Sequence, residues 1–537
     1  MQSFAPGKTR FGKIIAELHT ASKGIKLKVM KKQENNLGRL RSVFMAGLVA
    51  FSLPFHLTPD PAADFDYGDQ PHEPILEGVN ETSSGMASGL ATPDGRALLW
   101  KSRDRGGTAP VEFHYVSDGR IPFIGVTDVN DTARYYSGVN AEGFAIENTD
   151  NHNNADRGPH NDGITMRMAL ATCRIVDDFV ALLDSANLRD VNGRYGYDYG
   201  VIDAYGGAAI FECHRFDYVR FDAAEAVGGI LVRTNFSYTG SVNPNDDPSF
   251  YGVHRHNQGM KLFKQAADDG NLNVNFILRM VVRDLTTEDF DPYPLPFRGY
   301  YNNLPYGNIV NATAICRQST TAVTVVQGVM AGERPDNTIL WAMNGSPVTG
   351  IATPLWVRAG SVPPEYDGVV SSPINNRIIQ LYNWANGAFG GALDTWRLTN
   401  PDGNGLWDYL LPLQDQIITK TEQFRTSPRF HYDRLQGFQN EMAQQINDSL
   451  WAWKPTFKIA EQLGLVFWNG HVTLRYGAPR IPDGDEQAGI IEYRIFRASE
   501  PFREGMRGEL IGATQDTTFT DESPLANGGF YQVEARF

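Results

Sequence analysis

Three hydroxyl side chains stand in a row at Thr82, Ser83 and Ser84, and a charged group, Lys101, Arg103 and Asp104, follows a hairpin's length later. A serine or threonine hydroxyl is a weak nucleophile until a base, a cation or an oriented carboxylate activates it. The residues between the two groups suggest how they could meet. Residues 85–91 and 97–100 read as short strands, and Pro93-Asp94-Gly95 between them supplies the turn chemistry of a tight reversal. A hairpin of this kind would set the hydroxyls just before its first strand beside the charges just after its second.

Other chemistries have less support. His152, His160, His254 and His256 invite a metal, but none has a carboxylate or cysteine at ligand spacing. The three cysteines, Cys173, Cys213 and Cys316, lack metal spacing and read as buried thiols. There is no H-E-x-x-H, no phosphate-binding glycine loop, and no G-x-S-x-G around Ser88 or any other serine. No cofactor and no metal are expected. A net charge of −14 weighs against nucleic acid and an anionic membrane surface as partners.

The elements that must position the hairpin read as a mixed chain. Its 537 residues suffice for two to four domains, and 53 glycines with 11% aromatics favour sheets joined by tight turns. Residues 1–41 are basic, and an apolar run at 42–55, too short to span a bilayer comfortably, follows Arg39 and Arg41. This reads as a signal peptide near residues 30–63, with Met30 as an alternative start and Pro61-Ala62-Ala63 as cleavage site; a single membrane anchor is the competing reading. Residues 64–81 are acidic and rich in Pro and Gly, as in a propeptide or linker.

Beyond the hairpin, strands are expected at 119–126, 134–139, 143–148, within 200–213, and at 229–235, 312–329 and 337–344. Helical spacing of Met166, Leu170, Phe179 and Leu183 predicts one helix over 164–186, and another covers 253–267. Residues 375–460 read as helix-rich. Strands at 470–475, 490–497, 510–514 and 530–535 suggest a small β-sandwich. Trp451 and Trp453 read as helix packing.

The stretch T-S-S-G-M-A-S-G-L-A-T-P-D-G-R-A-L-L-W-K-S-R-D resembles the opening of a mature N-terminal nucleophile hydrolase. It is similar to the autoproteolytic acyltransferases related to isopenicillin-N acyltransferase and, more distantly, to the bile-salt hydrolase and penicillin V acylase group. S-G-V-N-A-E-G-F-A-I-E-N, Y-G-V-I-D-A-Y-G-G-A-A-I-F-E, L-V-R-T-N-F-S and I-C-R-Q-S-T-T-A-V-T-V-V-Q-G-V resemble later family segments in order. The tail resembles a fibronectin type III-like module.

The resemblance implies an α+β fold, a four-layer αββα sandwich of two antiparallel sheets over 82–374, a helical extension at 375–462 packing on it, and the β-sandwich at 463–537. It implies self-cleavage between Glu81 and Thr82, with Thr82 as nucleophile. The freed α-amine, which titrates at about 7.7–8 in the reference state, serves as base. Asp104 would hold that amine, Lys101 stands where the family carries Arg, Asn235 and Asn148 are candidate oxyanion donors, and Arg255 closes the network. The close relatives use Cys at the position of Thr82, and a hydroxyl leans more heavily on its base than a thiol. Ser83 or Ser84 after a shifted cleavage is the alternative nucleophile. The implied function is a secreted or periplasmic amidohydrolase or acyltransferase acting on a small-molecule linear amide. Its membrane contact is transient, through the signal peptide. The alternative is a non-catalytic extracellular binding protein with a degenerate nucleophile position.

Overall fold

The computed structural model describes residues 81–536 apart from 106–110, 119, 155–161, 190–196, 215–216, 242–246, 248, 303, 305–306, 368–370, 387–390, 402, 428–430, 455–456, 460, 469–470, 478–491, 499–508, 516–517, 523–524 and 526–529. The leader, its cleavage site, the acidic segment up to residue 80 and His160 lie outside the described residues.

In chain order the main elements are β1 (Glu81–Ala87), β2 (Leu98–Asp104), β3 (Val111–Val116), β4 (Phe123–Asp128), β5 (Ser137–Asn140), β6 (Ala145–Asp150), α1 (Asp162–Thr172), α2 (Val176–Arg189), β7 (Tyr197–Ile202), β8 (Ala208–Cys213), β9 (Tyr218–Asp222), β10 (Ile230–Arg233), α3 (Val253–Asp268), β11 (Thr320–Gln327), β12 (Ile339–Asn344), β13 (Thr353–Leu355), α4 (Pro373–Ala385), α5 (Leu406–Arg425) and α6 (Leu435–Ala452). One sheet has six strands in the order β10-β1-β2-β11-β12-β13; the other runs consecutively from β3 to β9. All pairings in both are antiparallel.

The two sheets face each other, β1 and β2 lying against β6 and β7, and β11 against β5. The β-branched run T-T-A-V-T-V-V-Q of β11 is buried along its whole length, as a strand covered on both faces must be. Phe144, Ile146, Met166, Leu170, Phe179 and Leu183 form the core between the consecutive sheet and α1 and α2. On the outer face of the six-stranded sheet, α3 covers β10 and β1, Phe263 meeting Trp100 at 5.8 Å between ring centroids. The helices between Pro373 and Ala452 cover the rest, the helical segment ending before the expected residue 462 because strands begin at Phe457. Gln439 of α6 accepts the Trp356 N–H at 3.2 Å, and Gln414 of α5 bonds both backbone groups of Ala352. Helix, sheet, sheet, helix is the four-layer α+β order that the resemblance implies.

The single helix expected over 164–186 is two helices. Apolar periodicity continues across the break, but polar side chains satisfy the interrupted ends. Asn140 Nδ2 donates to the carbonyls of Leu170 (2.9 Å) and Cys173 (2.7 Å), and the carboxylates of Asp178 and Asp203 accept the N–H groups of Arg174 and Val176. The tail holds two small antiparallel sheets. One joins Phe457–Ile459, Phe530–Arg536, Glu492–Ala498 and Glu509–Thr514, and the other joins Glu461–Trp468, His471–Gly477 and Thr518–Asp521.

Candidate active site

The opening hairpin is longer than its sequence suggests. Its hydroxyls and charges lie inside the two strands, not beyond their ends, because β2 is paired on one side with β1 and on the other with β11 as far as Asp104. The register sets Glu81 opposite Asp104, Thr82 opposite Arg103, Ser83 opposite Ser102 and Ser84 opposite Lys101. Successive strand residues point to opposite faces. The expected single constellation is therefore divided. Thr82, Ser84, Lys101 and Arg103 face the second sheet, whereas Ser83, Ser102 and Asp104 face outward beneath α3.

The outer group is organised by Arg255, which lies buried in the first turn of α3. Its Nη1 donates to the carbonyl oxygen of Thr82 at 2.9 Å and to Ser83 Oγ at 3.0 Å, and its Nη2 donates to Asn235 Oδ1 at 2.8 Å. Asn235 Oδ1 also accepts the Thr82 N–H at 3.4 Å, and its Nδ2 donates to the Asp150 carbonyl at 2.9 Å. Two donors on one side and a carbonyl on the other fix the amide orientation. Asn235 therefore turns its acceptor oxygen, not its N–H group, toward Thr82 and Arg255, which departs from the oxyanion-donor role the resemblance implies. Gly252 lets the start of α3 close on this loop. It has φ +86°, and a Cβ there would stand 2.8 Å from Thr234 Oγ1. Asp104 accepts from Thr320 Oγ1 at 2.6 Å. Tyr251, which no sequence signal marked, lies under the Arg255 guanidinium at 5.4 Å and stacks on His152 at 4.9 Å.

The inner group joins the sheets. Lys101 Nζ donates to Asn148 Oδ1 at 2.5 Å and to the Asn148 carbonyl, and Asn148 Nδ2 donates to Asp162 at 2.6 Å. Burial lowers the Lys101 ammonium to about 8 against the opposing pull of Glu147. Burial raises the Glu147 carboxyl to about 7, with Lys101 and the Ser84 hydroxyl pulling it down. Arg103 is ion-paired with Asp128 at 2.8 Å and lies over the Tyr136 ring at 4.1 Å. Thr82 Oγ1 is buried and has no hydrogen-bond partner among the described residues. Lys101 and Asn148 thus belong to a cluster on the other face of the sheet from Ser83 and Arg255, and sequence reasoning had set all of them around one centre.

Behind Asn235 lies a buried polar network that sequence reasoning missed. Arg233 pairs with Glu212 at 2.7 Å. Asp198 accepts from Ser237 Oγ (2.7 Å) and Asn151 Nδ2 (2.9 Å); its carboxyl is pushed well up by burial and by Glu212. Asn153 bonds both backbone groups of Ser237. These contacts lock the loop carrying Asn235 to the one after β6. His256 lies in the same region, its Nδ1 at 3.1 Å from the Val232 carbonyl and its Nε2 at 2.7 Å from the Tyr238 hydroxyl; burial, then Arg233, lower it to about 3, so it is neutral. Among the described residues no group of three or more His, Cys, Asp or Glu could hold a metal ion. No helix among them is long and apolar enough to cross a membrane.

No family model and no curated protein matches the chain. Solved structures similar to it include the conjugated bile acid hydrolase of Clostridium perfringens, with TM-score 0.31, 10% identity, and 49% of this chain and 89% of that one covered. The penicillin V acylase of Agrobacterium tumefaciens aligns with TM-score 0.30 and 10% identity, covering 51% and 86%. A Caenorhabditis elegans orthologue of N-acylethanolamine-hydrolyzing acid amidase aligns with TM-score 0.29 and 12% identity, covering 45% and 91%.

Proposed function

We propose that the chain is the precursor of an N-terminal nucleophile amidohydrolase or acyltransferase, that it cuts itself between Thr82 and Ser83, and that Ser83 then attacks a small linear amide. One observation carries the reading. A single guanidinium nitrogen, Arg255 Nη1, lies within hydrogen-bond reach of Ser83 Oγ and of the Thr82 carbonyl oxygen, the carbonyl immediately before it. The hydroxyl and its target therefore share one cationic donor, placed to stabilise the oxyanion that attack creates.

In the first turnover the Ser83 Oγ bonds to the Thr82 carbonyl carbon and the Thr82–Ser83 C–N bond breaks. The hydroxyl proton ends on the Ser83 nitrogen, and water hydrolyses the resulting ester. The freed α-amine titrates at about 7.7–8 in the reference state and serves as base for later turnovers. Asp104, on the same face, is the carboxylate that would orient it, and Asn235 holds Arg255 through its Oδ1. Removal of residues 1–82 accompanies export to a secreted or periplasmic location.

A second reading keeps Thr82 as nucleophile with cleavage after Glu81, favoured by the unbonded Thr82 Oγ1. Intact mass and N-terminal sequencing separate the two. A terminus at Ser83 supports the proposal and a terminus at Thr82 overturns it. An amide-mimicking electrophile should label Ser83; failure to cleave and failure to label would together leave a non-catalytic binding protein.

A further inference from the structure

The uncut chain holds Thr82 in the manner of a substrate's acyl half. Pairing with β10 covers only Ser84 to Ala87 of β1, so on that side the backbone of Thr82 is met by side chains. Asn235 Oδ1 takes its N–H at 3.4 Å and Arg255 Nη1 holds its C=O at 2.9 Å. On the other side it lies along β2, opposite Arg103. The ester formed in self-cleavage, Thr82 carbonyl carbon on Ser83 Oγ, is chemically an acyl-enzyme. Every later acyl-enzyme places its carbonyl on the same oxygen, beside the same guanidinium. Departure of Thr82 leaves the strand slot before Ser83 to the acyl group of the substrate.

From that slot, and resting on the reading of Ser83 as nucleophile, we infer that the preferred acyl donor is an N-acylated amino acid with a small, uncharged, β-branched side chain, bound extended. The backbone pattern requires an N–H on the α-carbon of the acyl group, to meet Asn235 Oδ1. A fatty acyl chain has none. In the uncut chain this space is filled by the threonine side chain, Thr82 being 3% exposed. The two cations on this face carry partners of their own, Arg103 an ion pair with Asp128 and the Tyr136 ring, and Lys101 the Asn148 side chain. The Thr82 hydroxyl finds no partner among the described residues, so valine fits at least as well as threonine. The leaving amine is unconstrained by this argument. In turnover Ser83 Oγ bonds to the acyl carbon, the C–N bond breaks with a proton passing to the departing amine, and water releases the N-acyl amino acid.

The test uses mature, self-cleaved enzyme and four p-nitroanilides: N-acetyl-valyl, N-acetyl-threonyl, N-acetyl-phenylalanyl and 3-methylbutanoyl, the last being the valyl group without its amide. Expected is a kcat/KM for N-acetyl-valyl about tenfold or more above 3-methylbutanoyl and N-acetyl-phenylalanyl, the loss expected when a site built for a polar group is left unmatched. Equal or faster turnover of the 3-methylbutanoyl anilide, or of a longer fatty acyl anilide, overturns the inference. A serine-directed fluorophosphonate is run alongside, with the adduct located by peptide mass. A Ser83 adduct without acyl preference refutes the substrate class and leaves the nucleophile standing. No cleavage and no adduct at Ser83 refutes both.

Discussion

Replacing Arg255 by Gln tests the shared donor most directly. The guanidinium makes three hydrogen bonds, at 2.9 Å to the Thr82 carbonyl, 3.0 Å to Ser83 Oγ and 2.8 Å to Asn235 Oδ1. Gln fills much of the space but brings no charge. Loss of an oxyanion donor costs about 10²–10³ in rate, or roughly 3–4 kcal/mol of transition-state stabilisation. Because Nη1 also orients the hydroxyl, the upper part of that range is expected. The assay is the appearance by intact mass of the Ser83–Phe537 fragment from purified precursor, with circular dichroism to verify folding. Arg255→Lys keeps the charge but not the planar fork, and should fall between wild type and Arg255→Gln. Folded Arg255→Gln that self-cleaves within threefold of the wild-type rate would refute the role given to Arg255. If Arg255→Gln fails to fold, Arg255→Lys carries the same test.

Ser83→Ala should remain uncut and Thr82→Val should be cut at close to the wild-type rate, as read by N-terminal sequencing; the opposite pattern would hand the nucleophile to Thr82. The inner pair gives stability a pH signature. Glu147, raised from 4.5 to about 7, keeps its proton in the folded chain where the unfolded chain has lost it, so stability falls as pH rises through that window. Lys101, lowered from 10.5 to about 8, loses its proton first in the folded chain, so stability is regained as pH rises from about 8 to 10.5. Tm against pH should therefore dip near neutrality, with Glu147→Gln flattening the acid limb and Lys101→Met the alkaline one; unchanged limbs in both variants would exclude the pair as the cause. Arg233→Met strands the buried Glu212 beside Asp198, and should lower stability in urea unfolding by about 3–5 kcal/mol, partly recovered by adding Glu212→Gln.

The Pro93-Asp94-Gly95 turn made the hairpin legible, and the resemblance supplied Asn235 and Arg255, far off in sequence. The extent of the strands was not legible, because the partners that extend them, β10 and β11, come from distant segments. The strand β3, V-E-F-H-Y-V, and the strand Glu461–Trp468 were missed. The break between α1 and α2 was hidden because the polar groups that end α1 and begin α2 come from Asn140 and Asp203 as well as from Asp178. Above all, the resemblance set Thr82 on the nucleophile and left Ser83 and Ser84 as alternatives. Which of them meets Arg255 depends on strand parity, and parity is a property of register.

That register has a physical lock in the residue after the hydroxyls. Gly85 faces outward, and a Cβ there would stand 3.1 Å from the Leu231 carbonyl oxygen and 3.2 Å from Trp100 Cε3. A slip of β1 by one residue would move Ser84 or Met86 into that space and turn Ser83 inward, since a single step exchanges the two faces. The same slip would take Met86 out of the core, where it is fully buried, and Ser84 away from Glu147. The order Ser83-Ser84-Gly85-Met86 thus opposes the alternative pairing at three positions at once. Gly85 selects the face on which Ser83 emerges, and so which of three neighbouring hydroxyls reaches Arg255.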